Sequence, residues 1–268
     1  MPRSGQPHLV ESLSVIFPAY NEQHNLRRTV EKACACLPTL ARKWEVIIVN
    51  DGSRDETNRV CDQIVGEFQN VFAFHHPSNR GYGAALKTGI IAASGDFIFF
   101  TDSDGQFDLA ELRRLIAHSG EYDIVCGYRR KRKDHFMRLV NAWGWNTLVR
   151  AVLGLRIRDV DCAFKLFKRP VFRRVQIRAV GAMVNTEILA QAMRLGMRIR
   201  EVEVTHYPRI AGRPTGARLS VIMKAFRELC HLWWKLGNID HNQEGLYNDI
   251  LPVDDAPATG STTPVLLE

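Results

Sequence analysis

Along the first half of the chain, short apolar runs alternate with stretches whose apolar residues recur every three or four positions. The runs predict strands over residues 13–17, 45–50, 71–75, 96–101 and 123–127. Between them the longer spacing predicts helices over 22–37, 54–68, 83–93 and 109–119. The strand runs are apolar throughout rather than alternating, so both faces of the sheet should be covered by helices. This is the signature of an α/β fold with a mostly parallel central sheet. After Gly127 the rhythm changes to a basic run from Arg129 to Lys133, a helical stretch over 136–153 and a short motif, DVDCAFKLF, around 159–167. A helix over 186–195, a strand over 199–204 and a last helix over 217–236 complete the pattern.

Composition bounds what such a chain does. With 268 residues, 46% of them hydrophobic and 24% charged, it can bury a core as one globular domain. We place that domain at 13–236, after an N-terminal extension at 1–12 and before a polar, proline-bearing tail at 237–268 that reads as disordered. The polar opening MPRSGQPHLVES does not resemble an export signal, and runs such as FIFF fall far short of the ~20 residues that cross a bilayer as a helix. Six cysteines are scattered without a CxxC pair, which suits reduced thiols and a cytoplasmic protein better than a zinc cage. The tail holds six acids and no Lys or Arg, so the other 236 residues carry all 36 basic side chains against 23 acidic ones. A body this basic suits a phosphate-bearing partner.

In an open α/β sheet ligands collect beyond the carboxyl ends of the strands. Here those ends are acidic: Pro18-Ala19-Tyr20-Asn21-Glu22 after the first strand, Asn50-Asp51-Gly52-Ser53 after the second, Asp102-Ser103-Asp104-Gly105-Gln106 after the fourth. Two aspartates one residue apart at a strand end can seat a hard divalent cation, Mg²⁺ or Mn²⁺, which offsets the repulsion between diphosphate oxygens. Asp51 could accept hydrogen bonds from a base or ribose, while Ser53 and Asp55 read as helix caps. Asn79-Arg80-Gly81-Tyr82-Gly83 looks like a phosphate-cradling turn but lacks the spacing of a dinucleotide or P-loop fingerprint.

In this order and spacing FPAYNE, NDGS, GYGAALKTG and DSDGQ resemble the family-2 glycosyltransferases of the GT-A nucleotide-diphospho-sugar transferase fold. The resemblance runs from about residue 13 to 236, and GYRRKR, DVDCAFKLF and HYPRIAGRPTG are similar to the branch of dolichyl-phosphate mannose synthase and bacterial polyprenyl-phosphate glycosyltransferases. It implies inverting transfer of a hexose from a nucleotide-diphosphate sugar donor to a polyprenyl phosphate acceptor. It also implies that Pro18, Tyr20, Glu22, Asp51, Gly81, Lys87 and Asp102 line the donor pocket and that Asp104 and Gln106 reach the metal. Arg129 and Arg209 would meet phosphate, and Asp159 or Asp161 would orient the acceptor or act as a base. The RxxG segment departs from the family's common form, because Thr215 stands one position later than the usual serine. An acceptor that is soluble or polymeric, or a nucleotide-binding module without catalysis, are the other readings.

Two stretches bear on the acceptor. Leu219, Ile222, Phe226, Leu229 and Trp233 form one helical stripe among basic residues, and Phe136, Leu139, Val140, Trp143 and Leu148 form another. Either alone reads as core; the pair with the basic run points to peripheral contact with the cytoplasmic face of an anionic membrane. No nucleic-acid module accompanies the basic run, so a nucleic-acid partner is not expected.

Overall fold

The computed structural model describes residues 10–129, 144, 147–208 and 229. Within them the chain forms β1 (Val10–Ala19), β2 (Ala41–Asn50), β3 (Val71–His75), β4 (Phe97–Thr101), β5 (Ile124–Arg129), β6 (Phe164–Lys168) and β7 (Ile199–Val204). These seven strands make a single sheet in the order β3-β2-β1-β4-β6-β5-β7. Every pairing is parallel except those of β6, which runs antiparallel to both β4 and β5. The helices are α1 (Leu26–Cys36), α2 (Thr57–Glu67), α3 (Tyr82–Ala92), α4 (Leu112–Ile116) and α5 (Val184–Arg194), with residues 147–153 also helical.

Both sheet faces are buried, as the continuous apolar runs require. Along β1, β2 and β4, Ile16, Ile47, Val49 and Phe100 enter one core with α3 and α5. Their neighbours Val15, Phe17, Val46, Ile48 and Phe99 enter the other, with α1 and α2. Aromatic pairs weld β6 to β4: Phe99 meets Phe164 edge-on at 4.7 Å, and Phe100 stacks on Phe167 at 5.3 Å. Such pairs contribute about 0.5–1.5 kcal/mol each beyond their buried area.

The structure corrects the sequence reading in four places. β6 falls in what read only as a motif, because Lys165 and Lys168 interrupt its apolar run. β1 begins at Val10, paired with Ala41, inside the stretch taken as an extension. The expected helix over 109–119 is a 3-10 turn at Leu109–Glu111 followed by the short α4, its start tightened by the Asp108 side chain accepting from the Ala110 N–H at 3.0 Å. α1 and α2 both start late, since 21–23 and 53–57 bond to one another instead of continuing the helices: the Glu22 N–H donates to Thr57 Oγ1, and the Arg54 N–H to Asn21 Oδ1. Most of the helix expected at 136–153, the last helix at 217–236 and the tail lie outside the described residues.

Candidate active site

Because β1, β2 and β4 are parallel neighbours, the turns that follow them meet on one rim of the sheet. The turn after β4 is fixed first. Ser103 is buried and its hydroxyl donates to the Pro18 carbonyl at 2.8 Å, while the Thr29 hydroxyl donates to the Ser103 carbonyl at 3.1 Å. Between these ties Asp104 is buried, one carboxylate oxygen accepting from the Gln106 N–H at 3.0 Å, and Gly105 takes φ +73° to close the turn. Asp102 is half-buried beside the Tyr82 hydroxyl. That hydroxyl is shut off from solvent, and burial together with the Asp102 charge pushes its ionisation well above the ordinary range.

The same turn carries the chain after β7. The Gln106 amide donates to the Tyr207 carbonyl at 2.9 Å, the Tyr207 N–H returns a bond to the Gln106 carbonyl at 2.8 Å, and Phe107 bridges to His206. The segment leading to Arg209 is therefore docked on the turn of Asp102 and Asp104, although Arg209 itself lies outside the described residues.

Asp51 already has partners within the protein. Its buried carboxylate accepts from His76 Nδ1 at 2.7 Å and the Arg80 N–H at 2.9 Å with one oxygen, and from the Gly81 N–H at 2.7 Å with the other. The glycine turn is thus held by an internal anion, and the Arg80 and Gly81 N–H groups expected to cradle phosphate are already spent. On its outer side the turn packs against residues 178–181: the Gly83 N–H donates to the Val180 carbonyl at 2.9 Å. Glu187 of α5 holds that loop by accepting from the Arg178 and Ala179 N–H groups at 2.9 and 2.8 Å.

Gly81 sits at φ +101°, and a Cβ on it would lie 2.3 Å from the Val180 carbonyl oxygen. Gly81→Ala is accordingly expected to lower stability by about 1–3 kcal/mol through backbone strain alone and to weaken nucleotide binding further. Calorimetry on the purified variant, by melting and by nucleotide titration, checks both.

The other residues singled out near these strand ends are placed as follows. Glu22 is buried and accepts from the Asn25 amide at 2.7 Å, and Tyr20 is half-buried at the end of β1. Ser53 is not a cap: its hydroxyl donates to Asn50 Oδ1 at 2.5 Å and accepts from the Asn21 N–H at 2.9 Å, tying the ends of β1 and β2 together. Asp55 is not the cap either: that position is Glu56, which makes no side-chain cap bond, and Asp55, one residue earlier, accepts from the Thr57 N–H at 3.0 Å. Lys87 lies half-buried in α3, and no hydrogen bond among the described residues joins it to the strand-end acids.

Across β4 from these groups, Arg129 at the end of β5 forks onto Asp159. Nε donates at 2.7 Å to one carboxylate oxygen and Nη2 at 2.8 Å to the other, with about nine-tenths of each side chain buried. Burial alone would depress the guanidinium's pKa; the Asp159 bonds and charge outweigh it and raise it further. Asp161 stands half-buried two residues on. Cys162, in the same turn, is no nucleophile, since burial, aided by the Asp159 charge, pushes its thiol up to about 12. Cys126 beneath it is likewise raised to about 12, chiefly by burial.

A thiol raised this far stays protonated until the pH passes its folded pKa. Among the cysteines of the described residues, maleimide at pH 7 should therefore label half-buried Cys34 first and reach Cys126 and Cys162 only on unfolding, as peptide mass spectrometry would show. Sequence reasoning missed His76, Glu187 and Lys165. The first followed the one early strand end not inspected for chemistry, the second lay on the helix expected over 186–195, to which no chemistry was assigned, and the third was a lysine in an apolar run.

Among the described residues no three His, Cys, Asp or Glu side chains gather into a closed metal cage, so a cation at Asp102 and Asp104 would share its shell with a ligand. Comparison with known proteins bears on the family and the fold. Residues 14–176 match the family model for glycosyl transferase family 2. The chain is 33% identical over 240 residues to glycosyltransferase AglD of Haloferax volcanii, covering 84% of this chain and 37% of that protein. It is 33% identical over 209 residues to the dolichyl-phosphate beta-glucosyltransferase ALG5A of Trichomonas vaginalis, covering 72% of this chain and 64% of that one. It therefore spans less than two thirds of either relative. In three dimensions it superposes with a TM-score of 0.65, at 21% identity and over 87% of this chain and 81% of the other, on glucosyl-3-phosphoglycerate synthase from Mycobacterium tuberculosis, solved with Mn²⁺ and UDP-glucose. The sheet order, the acidic rim and these matches agree: the fold is GT-A, and the chain belongs to glycosyl transferase family 2.

Proposed function

We propose that the protein transfers a hexose from a nucleotide-diphosphate sugar to a polyprenyl phosphate, with inversion at the anomeric carbon. One observation carries this reading: the acidic turns that suit a donor lie on β1, β2 and β4, while a separate basic and acidic pair, Arg129 and Asp159, closes the rim beyond β4 where an acceptor would arrive. The relative named as a dolichyl-phosphate beta-glucosyltransferase supports a lipid phosphate as that acceptor.

On the donor side Pro18, Tyr20 and Glu22 line the nucleotide pocket, Asp51 shapes it by holding the Gly81 turn, and Lys87 and Asp102 face the diphosphate and sugar. Asp104, with Asp102 and the Gln106 side-chain oxygen, forms a donor set of hard oxygens without thiolate, which fits Mg²⁺ or Mn²⁺. Such an ion offsets the charge of the departing nucleoside diphosphate. The similar solved structure holding Mn²⁺ and UDP-glucose supports that choice.

On the acceptor side a lipid phosphate is already an anion and needs no strong base. Asp159, bonded to Arg129, serves to orient that guanidinium, whose Nη1 makes no hydrogen bond among the described residues and would meet phosphate. Asp161 and Arg209 complete the acceptor side, and catalysis rests on positioning and electrostatics rather than proton abstraction. The catalytic unit extends over residues 13–236, joined by the residues of β1 that precede it, with the acidic tail outside.

Among the described residues no helix is long and apolar enough to cross a membrane. A lipid acceptor calls for contact with a membrane surface, which we place at the cytoplasmic face, through the basic run after Arg129 and the apolar stripes read in the sequence beyond it. Incubating the protein with Mn²⁺ or Mg²⁺, a panel of nucleotide sugars and a short polyprenyl phosphate should yield an organic-extractable sugar lipid, and chelation with EDTA should stop it. No transfer with any common donor would overturn the reading.

A further inference from the structure

Lys165 is a charged residue where the packing asks for an apolar one. It lies on β6 opposite Phe100 of β4 and Cys126 of β5, and is completely buried. Burying an ammonium is costly unless its donors are met, and here two of the three are met by a single segment. Nζ donates to the Val160 carbonyl at 3.0 Å and to the Cys162 carbonyl. Both belong to the turn of residues 159–162, which the Cys162 N–H closes onto the Asp159 carbonyl at 3.3 Å. That turn carries Asp159 and Asp161, and Asp159 in turn grips Arg129. A methionine would fill the same space without the head group, so packing alone does not account for a lysine.

We propose that Lys165 is a positioning residue for the acceptor half of the site. From beneath the rim its ammonium clamps the 159–162 turn, and through that turn it sets the Arg129–Asp159 pair and Asp161. The donor half is held by other bonds: Asp51 grips the Gly81 turn, and Ser103, next to Asp104, is tied to β1 and α1. Losing the clamp should therefore affect acceptor use and spare donor binding. The assignment to an acceptor rests on the function proposed above; the clamp itself does not.

The test compares wild type with Lys165→Met, which keeps the stem's volume, and Lys165→Gln, which keeps one amide donor. Hydrogen exchange read by mass spectrometry should show amides of residues 159–163 exchanging at least about tenfold faster in Lys165→Met, with β1 and β2 unchanged. In the transfer assay, kcat/KM for polyprenyl phosphate should fall by about 10²-fold, as a small displacement of positioning groups costs. KM for the nucleotide sugar should stay within about twofold. Lys165→Gln should recover part of both losses, and it supplies the measurement if the methionine variant does not fold. Unchanged exchange at 159–163, or a rise spread equally over β1 and β2, would overturn the clamp. A loss of donor affinity equal to the loss of acceptor use would overturn the separation of the two halves. Should the wild type make no lipid-linked sugar, the functional reading fails while the exchange data still decide the clamp.

Discussion

Asp104→Asn is expected to lower kcat/KM for sugar transfer by about 10³-fold, the scale set by removing a charged group that stabilises a developing charge. Asparagine keeps an oxygen at the position where Asp104 accepts from the Gln106 N–H, so the turn's internal bond survives. Ser103 and Thr29 continue to tie the turn to β1 and α1. What disappears is the negative charge that, on the function proposed above, would seat a divalent ion against the diphosphate. Melting temperature should shift by no more than about 4 °C, corresponding to a change near 1 kcal/mol in a domain of this size. Rate and melting curve on the same preparation check the pair of outcomes. Full activity with Asp104→Asn, or with the more drastic Asp104→Ala, would refute the metal assignment.

The second large effect is on stability. Asp159→Asn leaves the buried Arg129 guanidinium facing a neutral amide, and breaking a buried ion pair from one side costs about 3–5 kcal/mol. A drop of about 10 °C in melting temperature is expected from that figure. The pair's own net contribution is smaller, because desolvating both ions offsets much of their attraction. The double variant Arg129→Met with Asp159→Leu should consequently be more stable than either single variant while remaining inactive. Stability and activity would then separate: the apolar pair restores the packing and removes the two groups proposed above to meet the acceptor. A double variant no more stable than Asp159→Asn would show that the pair contributes more than it costs to bury.

The fold was legible because its physics is repetitive. Buried parallel strands need apolar runs, and the runs at β1 to β5 and β7 announced themselves with ends wrong by a few residues. β6 escaped because its two lysines break the run, and one of them is buried for a reason that only the neighbouring turn supplies. The site was legible in which residues gather on the rim and less so in what they bond to. Asp51 and Gly81 were both picked out as donor-binding residues. That the carboxylate of one is consumed in holding the N–H of the other depends on a contact across thirty positions, which no local pattern encodes. Arg129 and Asp159 likewise read as two independent groups awaiting substrate, and instead are partners. Helix starts failed for a related reason: Glu22 and Thr57 bond to one another, so two segments with helical spacing spend their first residues on a loop–loop contact.

The central claim is that the acceptor is a lipid phosphate, recognised on the Arg129 side of the rim. The most direct test is a competition in one reaction, with a labelled nucleotide sugar, Mn²⁺, and equal amounts of a short polyprenyl phosphate, the same polyprenol without its phosphate, and a soluble sugar acceptor. The account predicts that the label appears on the polyprenyl phosphate and on neither competitor. Label on the soluble acceptor, or on both lipids alike, would contradict it.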